Sequence, residues 1–146
     1  MERNTIEKIL NFLDSKEGMK IPNKWFDFIK KIKLAKEIEN HPDGTQYRYE
    51  GTLNLINTNI KKLPNDLYVN GGLYLGGLPI KELPNNLHVT YELSLYNCKQ
   101  ITELPNNLHV GLNLFIRNTP LAKKYTDEQI YEIIFSTGGQ IKGIIR

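Results

Sequence analysis

The phrase LPNDLYVNGGLYLGGLPIKE, Leu63 to Glu82, is written three times in this chain. It returns as LPNNLHVTYELSLYNCKQITE from Leu83 to Glu103, one residue longer, and as LPNNLHVGLNLFIRNTPLAK from Leu104 to Lys123. A unit this short cannot bury its own apolar side. Units repeated at a short fixed period therefore stack and bury that side against their neighbours, which makes a solenoid. Such an architecture exposes one repetitive face, so binding is the first function to weigh, ahead of catalysis.

The apolar positions recur in register. Leu53/Leu55, Leu73/Leu75, Leu93/Leu95 and Leu114/Ile116 show the alternation of a short strand with one buried face. Ile60, Ile80, Ile101 and Leu121 follow, then Leu63-Pro64, Leu83-Pro84 and Leu104-Pro105, then Leu67/Val69, Leu87/Val89 and Leu108/Val110. Proline followed by Asn-Asp or Asn-Asn is turn chemistry, so the return path is expected to be extended or tightly turned, with no α-helix. A degenerate unit precedes the three. Tyr47 and Tyr49 replace its leucine and valine, and Leu53 and Leu55 keep the register. A strand in each of the four units is expected, from about Thr52 to Arg117.

This pattern resembles the leucine-rich repeat, with a strand, a small position at Thr58, Leu78, Cys98 and Thr119, and a return segment. The Leu-Pro pair in a short unit is similar to the bacterial subtype found in secreted effectors. Asn118-Thr119-Pro120-Leu121, just before a helix, looks like the ending of small repeat proteins of tailed bacteriophages. The chain departs from the usual pattern at the leading leucine, which is Asn70, Thr90 and Gly111 here. The resemblance implies an α+β fold: a short leucine-rich-repeat solenoid of about four repeats with parallel strands and helical caps. It also implies a protein-binding module, and a phage product that inhibits or modulates a host defence or regulatory protein in the host cytosol.

The open ends of a short solenoid need covering. The expected organisation is a single domain, 1–146, with a helical N-terminal cap over 1–42, repeats over 43–123 and a C-terminal helical cap and tail over 124–146. In the N-terminal part, Asn4 and Glu7 suit a capping box, and Ile6, Ile9, Leu10 and Leu13 fall on one helical face. A second helix is expected after Pro22, with Trp25, Phe28/Ile29, Ile32, Ala35 and Ile38 at helical spacing and Trp25 packing in the core. It ends before His41-Pro42-Asp43-Gly44. Near the other end, Thr126-Asp127-Glu128-Gln129 reads as a helix start with Ile130, Ile133 and Ile134 behind it. Gly138-Gly139 stop that helix, and Ile141 to Ile145 form a last strand or a loose tail.

Chemistry finds little support. His88 and His109 fall one repeat apart and could approach each other, but two histidines without a carboxylate or thiolate make a poor metal site. Glycines 71, 72, 76 and 77 lack the lysine and the helix of a phosphate loop. No Ser-His-acid set appears, so neither an enzyme nor a cofactor is expected. The single cysteine, Cys98, occupies the small-residue position and reads as a buried structural thiol. The catalytic-cysteine ubiquitin-ligase domain that accompanies such repeats in effectors is not expected. No apolar run of membrane-spanning length and no secretory leader is visible, which points to the cytosol. Nineteen basic and 16 acidic side chains are spread along the chain. The densest basic stretch, Lys24, Lys30, Lys31, Lys33 and Lys36, is interrupted by Asp27, Glu37 and Glu39. Nucleic-acid binding through that helix is the first alternative, and a self-associating structural subunit the second.

Alternation also names the binding face. If the strand leucines point inward, Asn54 and Ile56, Tyr74, Glu92 and Tyr96, and Asn113, Phe115 and Arg117 point outward, with Thr52, Ser94, Gly72 and Gly76 among them. Aromatic and arginine side chains are enriched at interface hot spots. These eight residues are the expected contact set for another protein, and the N-terminal helices, if they do not serve only as a cap, are the other candidate element of recognition.

Overall fold

Each unit lays down two short strands joined at a bend. The first ladder consists of β1 (Arg48–Glu50), β3 (Tyr68–Asn70), β5 (His88–Val89) and the start of β7 (His109–Phe115). The second consists of β2 (Leu53–Asn54), β4 (Leu73–Tyr74), β6 (Leu93–Ser94) and the end of β7, where the two strands of the last unit fuse. All pairings are parallel, and β8 (Gln140–Ile145) adds one more parallel rung outside β7. These elements come from a computed structural model that describes residues 8, 11, 23–42 and 44–146, and the side chains from residue 27 onward within the first described helix. Of the expected first helix only Lys8 and Asn11 are described, both helical; Asn4, Glu7, Ile6, Ile9, Leu10 and Leu13 lie outside the described residues, as does the side chain of Trp25.

The expected strand pairs are present, but the sequence reading counted one strand per unit where there are two. The stretch after each Leu-Pro turn is itself a ladder. Its residues alternate in the same way, with Val69, Val89 and Val110 in one buried column and Tyr68, His88 and His109 half-buried on the other side. Gly71 permits the bend, because a Cβ there would lie 2.2 Å from the carbonyl oxygen of Gly51 on the preceding rung.

The interior is a bundle of columns. Leu53, Leu73, Leu93 and Leu114 form one, and Leu55, Leu75, Leu95 and Ile116 a second. Ile60, Ile80, Ile101 and Leu121 form a third, and all of them are no more than 1 % exposed. Each such side chain stabilises the fold by about 1.5–3 kcal/mol relative to its exposed state.

Two tight corners per unit close the coil. At the first, Asn57, Gly77, Asn97 and Asn118 hold φ between 58° and 73°. The next residue's N–H donates back to the strand carbonyl three positions earlier, as Thr58 does to Leu55, Leu78 to Leu75, Cys98 to Leu95 and Thr119 to Ile116. At the second, Asp66, Asn86 and Asn107 hold φ between 56° and 60°. Asparagine, aspartate and glycine are the residues that enter this left-handed region at least cost. The small position beside the first corner is buried and bonded. Thr58 and Thr119 donate hydroxyls to Leu55 O and Ile116 O at 2.6 Å, and the Cys98 thiol donates to Leu75 O at 3.1 Å.

Helices stand at both ends. Before the first rung is α1 (Asn23–Glu39), whose Ala35 and Ile38 join the same buried cluster as the leucine columns. Its Glu37 accepts a hydrogen bond from Tyr47 Oη at 3.2 Å. After the last repeat come α2 (Pro120–Lys124) and α3 (Asp127–Ser136). Thr119 serves twice, as buried small residue and as N-cap accepting from Ala122 N. The expected start of α3 is a complete capping box: Thr126 accepts from Gln129 N, and the Gln129 side chain accepts from Thr126 N. Ile130 and Ile134 are buried, while Ile133 is only half-buried. Arg146 fixes the corner between the two helices, bonding Ala122 O, Tyr125 O and the Asp127 carboxylate. Among the described residues no helix is long and apolar enough to cross a membrane.

Asn97 tests the first corner. We expect Asn97→Ala to destabilise the chain by about 1 kcal/mol, the order of cost of a left-handed conformation for an L-residue. Asn97→Gly should be close to neutral, since Gly77 already occupies the equivalent place. Urea unfolding of both variants checks this, and equal losses would mean that the side chain rather than the backbone conformation matters.

Candidate protein-binding surface

The eight expected contact residues all lie on the outward side of the second ladder, where pairing sorts them into rows. Asn54, Tyr74, Ser94 and Phe115 are register neighbours, and β8 continues this row with Ile145. Glu92 and Asn113 lie in a second row with Gly72 and Gly143. Ile56, Tyr96 and Arg117 lie in a third, with Gly76 between the first two. Tyr96 is 43 % and Ile145 40 % exposed. Arg117 and Asn54 are exposed, whereas Tyr74, Glu92, Asn113, Phe115 and Ile56 are half-buried against their neighbours.

Several of these side chains have partners within the chain. Asn54 Oδ1 accepts from its own strand at Ile56 N, 3.0 Å, and from Lys31 Nζ of α1 at 3.3 Å. Asn54 is thus where α1 meets the face, and burial lowers the Lys31 pKa. Tyr74 folds over Gly72, whose missing Cβ would lie 3.0 Å from the ring. Its hydroxyl donates to Glu92 Oε2 at 3.3 Å. Desolvation first, and the neighbouring Glu92 carboxylate second, raise the Tyr74 pKa, so the phenol stays protonated at neutral pH. Asn113 Oδ1 lies over Gly143, where any Cβ would collide with it at 2.4 Å.

Sequence reasoning missed two apolar members of this region. Ile145 was assigned to a last strand or tail, and only the parallel pairing Phe115 to Ile145 puts it on the face. Tyr91 sits at the bend between the ladders and is 57 % exposed. Its neighbours on the two preceding rungs are Gly51 and Gly71, a sequence signal that a ring there has no side chain to lean on.

The first ladder carries a different outward column. Arg48 lies over the Tyr68 ring at 4.2 Å, Tyr68 stacks on His88 with centroids 4.5 Å apart, and His88 stacks on His109 at 5.3 Å. The histidines do approach each other as their one-repeat spacing suggests. Among the described residues no group of three or more His, Cys, Asp or Glu side chains gathers as a metal set. A ladder of amides orients His109 instead. Asp66 Oδ1 accepts from Asn86 Nδ2 at 2.6 Å, Asn86 Oδ1 accepts from Asn107 Nδ2 at 2.9 Å, and Asn107 Oδ1 lies 2.8 Å from His109 Nε2. With each Oδ1 accepting from the next Nδ2, Asn107 Oδ1 is left as an acceptor and His109 Nε2 is its donor. Buried Cys98 has its thiol pKa raised by desolvation, partly offset by the Leu78 and Gly77 N–H groups, which is the setting of an inert thiol.

No protein-family model, no curated protein and no solved structure matches the chain.

The histidine column makes stability depend on pH. The His88 pKa is lowered, first by desolvation and then by His109 and Arg48. A lowered folded-state value means that the unfolded chain takes up its proton first. Stability is therefore full above the unfolded value of about 6.5 and falls as pH drops through it. We expect urea midpoints to decline below pH 6.5. His88→Tyr, which copies Tyr68 one rung earlier, should flatten the decline while keeping the stack. An unchanged slope in that variant would assign the acid loss to other groups.

Proposed function

We propose that this chain is a protein-binding module of the leucine-rich-repeat kind and that it engages another protein through the outward side of the second ladder. One observation carries this reading. Tyr74, Phe115 and Ile145 stand in one row, with Tyr96 beside it, outside a core that leucine columns already fill. The fold does not need large apolar side chains there, and interfaces do. Arg117 at the margin adds a directional donor of the kind found at hot spots. The narrower reading is a phage-encoded modulator of a host defence or regulatory protein, acting in the host cytosol. Its support is the resemblance of the Asn118-Thr119-Pro120-Leu121 segment and the Leu-Pro units to phage repeat proteins.

The test is affinity capture from bacterial lysate with the wild-type chain and a Tyr74→Ala, Tyr96→Ala, Phe115→Ala variant, both first shown to be folded by circular dichroism. We expect a discrete protein held by the wild type and lost from the variant, with each aromatic truncation weakening binding by about tenfold or more. Equal recovery on both would move the contact away from this face. Recovery of nucleic acid that vanishes at high salt would favour the lysine-rich helix instead.

A further inference from the structure

Glu92 is the one carboxylate in the three rows of the strand face. Three acids elsewhere among the described residues have cations beside them. Glu50 pairs with Arg48 at 2.6 Å, Asp127 with Arg146 at 2.6 Å, and Glu103 with Lys124. Glu92 has no such partner among the described residues, and its one hydrogen-bond partner is the neutral Tyr74 hydroxyl at 3.3 Å. The cations of this face are held elsewhere. Lys31 bonds Asn54, two rungs away. Arg117 stands four residues along the strand from the rung neighbour of Glu92, about 13 Å at the usual strand rise.

This carboxylate is half-buried, with the Tyr74 ring leaning over Gly72 on one side of it. Its own row is low, with Gly72 on the rung before and Asn113 and Gly143 on the two rungs after. In the adjoining row Tyr74 and Phe115 stand on either side of Ser94, in register. Rungs lie about 4.8 Å apart, so the two rings rise from strands about 10 Å apart with a small residue between them. A carboxylate with no cation of its own, beside two rings separated by a serine, suits a cation on an apolar stem: the stem packs on the rings, and the charge meets the carboxylate and the ring faces.

We propose that Glu92, with Tyr74 and Phe115, seats a lysine or arginine side chain of the partner protein. The seat rests on the strand-face reading above and adds the chemistry of the contact. With Arg117 at the opposite margin the face has a fixed polarity, which gives a bound segment one orientation rather than two.

The seat is tested by selecting a random linear peptide library on the immobilised full chain. The binders are then measured against Glu92→Gln, which keeps the size and the acceptor for Tyr74, and against the triple aromatic variant. The expected result is a set of peptides with one basic position among apolar residues, weakened about tenfold by Glu92→Gln and lost with the triple variant. Peptides that need the aromatics, show no basic position and ignore Glu92→Gln would overturn the seat and leave the strand-face reading standing. Peptides held equally by the triple variant would overturn both. A library that yields no binder would overturn the seat and leave the strand face to lysate capture.

Discussion

Leu53 pairs with Leu73, Leu73 with Leu93 and Leu93 with Leu114, and the same step carries Tyr49 to Val69, Val89 and Val110. Once this parallel register holds, a residue type written at one place in the repeat becomes a column through the molecule. A slip of one residue would turn every column inside out, exposing leucines and burying Tyr74, Glu92 and Phe115. The register is held by the corners as much as by the strands. Seven of them are left-handed at Asn, Asp or Gly, and each returns the chain to the same height. The extra residue of the third unit falls at Lys99-Gln100, in an exposed turn after Cys98, where it shifts no strand.

Columns explain how polar groups survive next to this core. Asn118 Nδ2 donates to Asn97 Oδ1 at 3.1 Å across one corner, while the Asp66, Asn86 and Asn107 chain runs across the other. Each amide offers both a donor and an acceptor, so a stack of them satisfies itself from rung to rung. An aspartate can only end such a stack, and Asp66 stands at its first rung.

The repeat, the strand pairs, the return turns and the N-cap of α3 were legible because each depends on neighbours within one unit. The second ladder was harder to see. Tyr68, His88 and His109 mask the Leu-x-Val alternation with rings that are half-buried, and its Pro-Asn prelude reads as turn. Ile145 could not be placed from sequence, because its position depends on α3 turning at Gly138-Gly139 so that β8 lands beside β7. Asn54 looked like a free contact residue and is instead tied to Lys31, a side chain 23 positions earlier. No periodicity encodes that contact. All eight face residues do share one side, since alternation along a strand requires no tertiary information.

The two outward columns differ in a way that bears on which of them meets a partner. On the first ladder, Tyr68, His88 and His109 are consecutive rings that stack on one another, Arg48 covers one end, and Gln140 of β8 pairs beyond His109 at the other. Their apolar faces are used up internally. On the second ladder large and small alternate, with Tyr74, then Ser94, then Phe115, so the rings cannot stack across the intervening rung. Tyr74 leans aside over Gly72, and Tyr96 stands beside a glycine row neighbour. A column of like rings stabilises the solenoid by stacking, whereas a column broken by serine keeps its rings apart. A side chain from outside could pack between such rings, and this is the physical ground on which we propose recognition at the second ladder rather than the first.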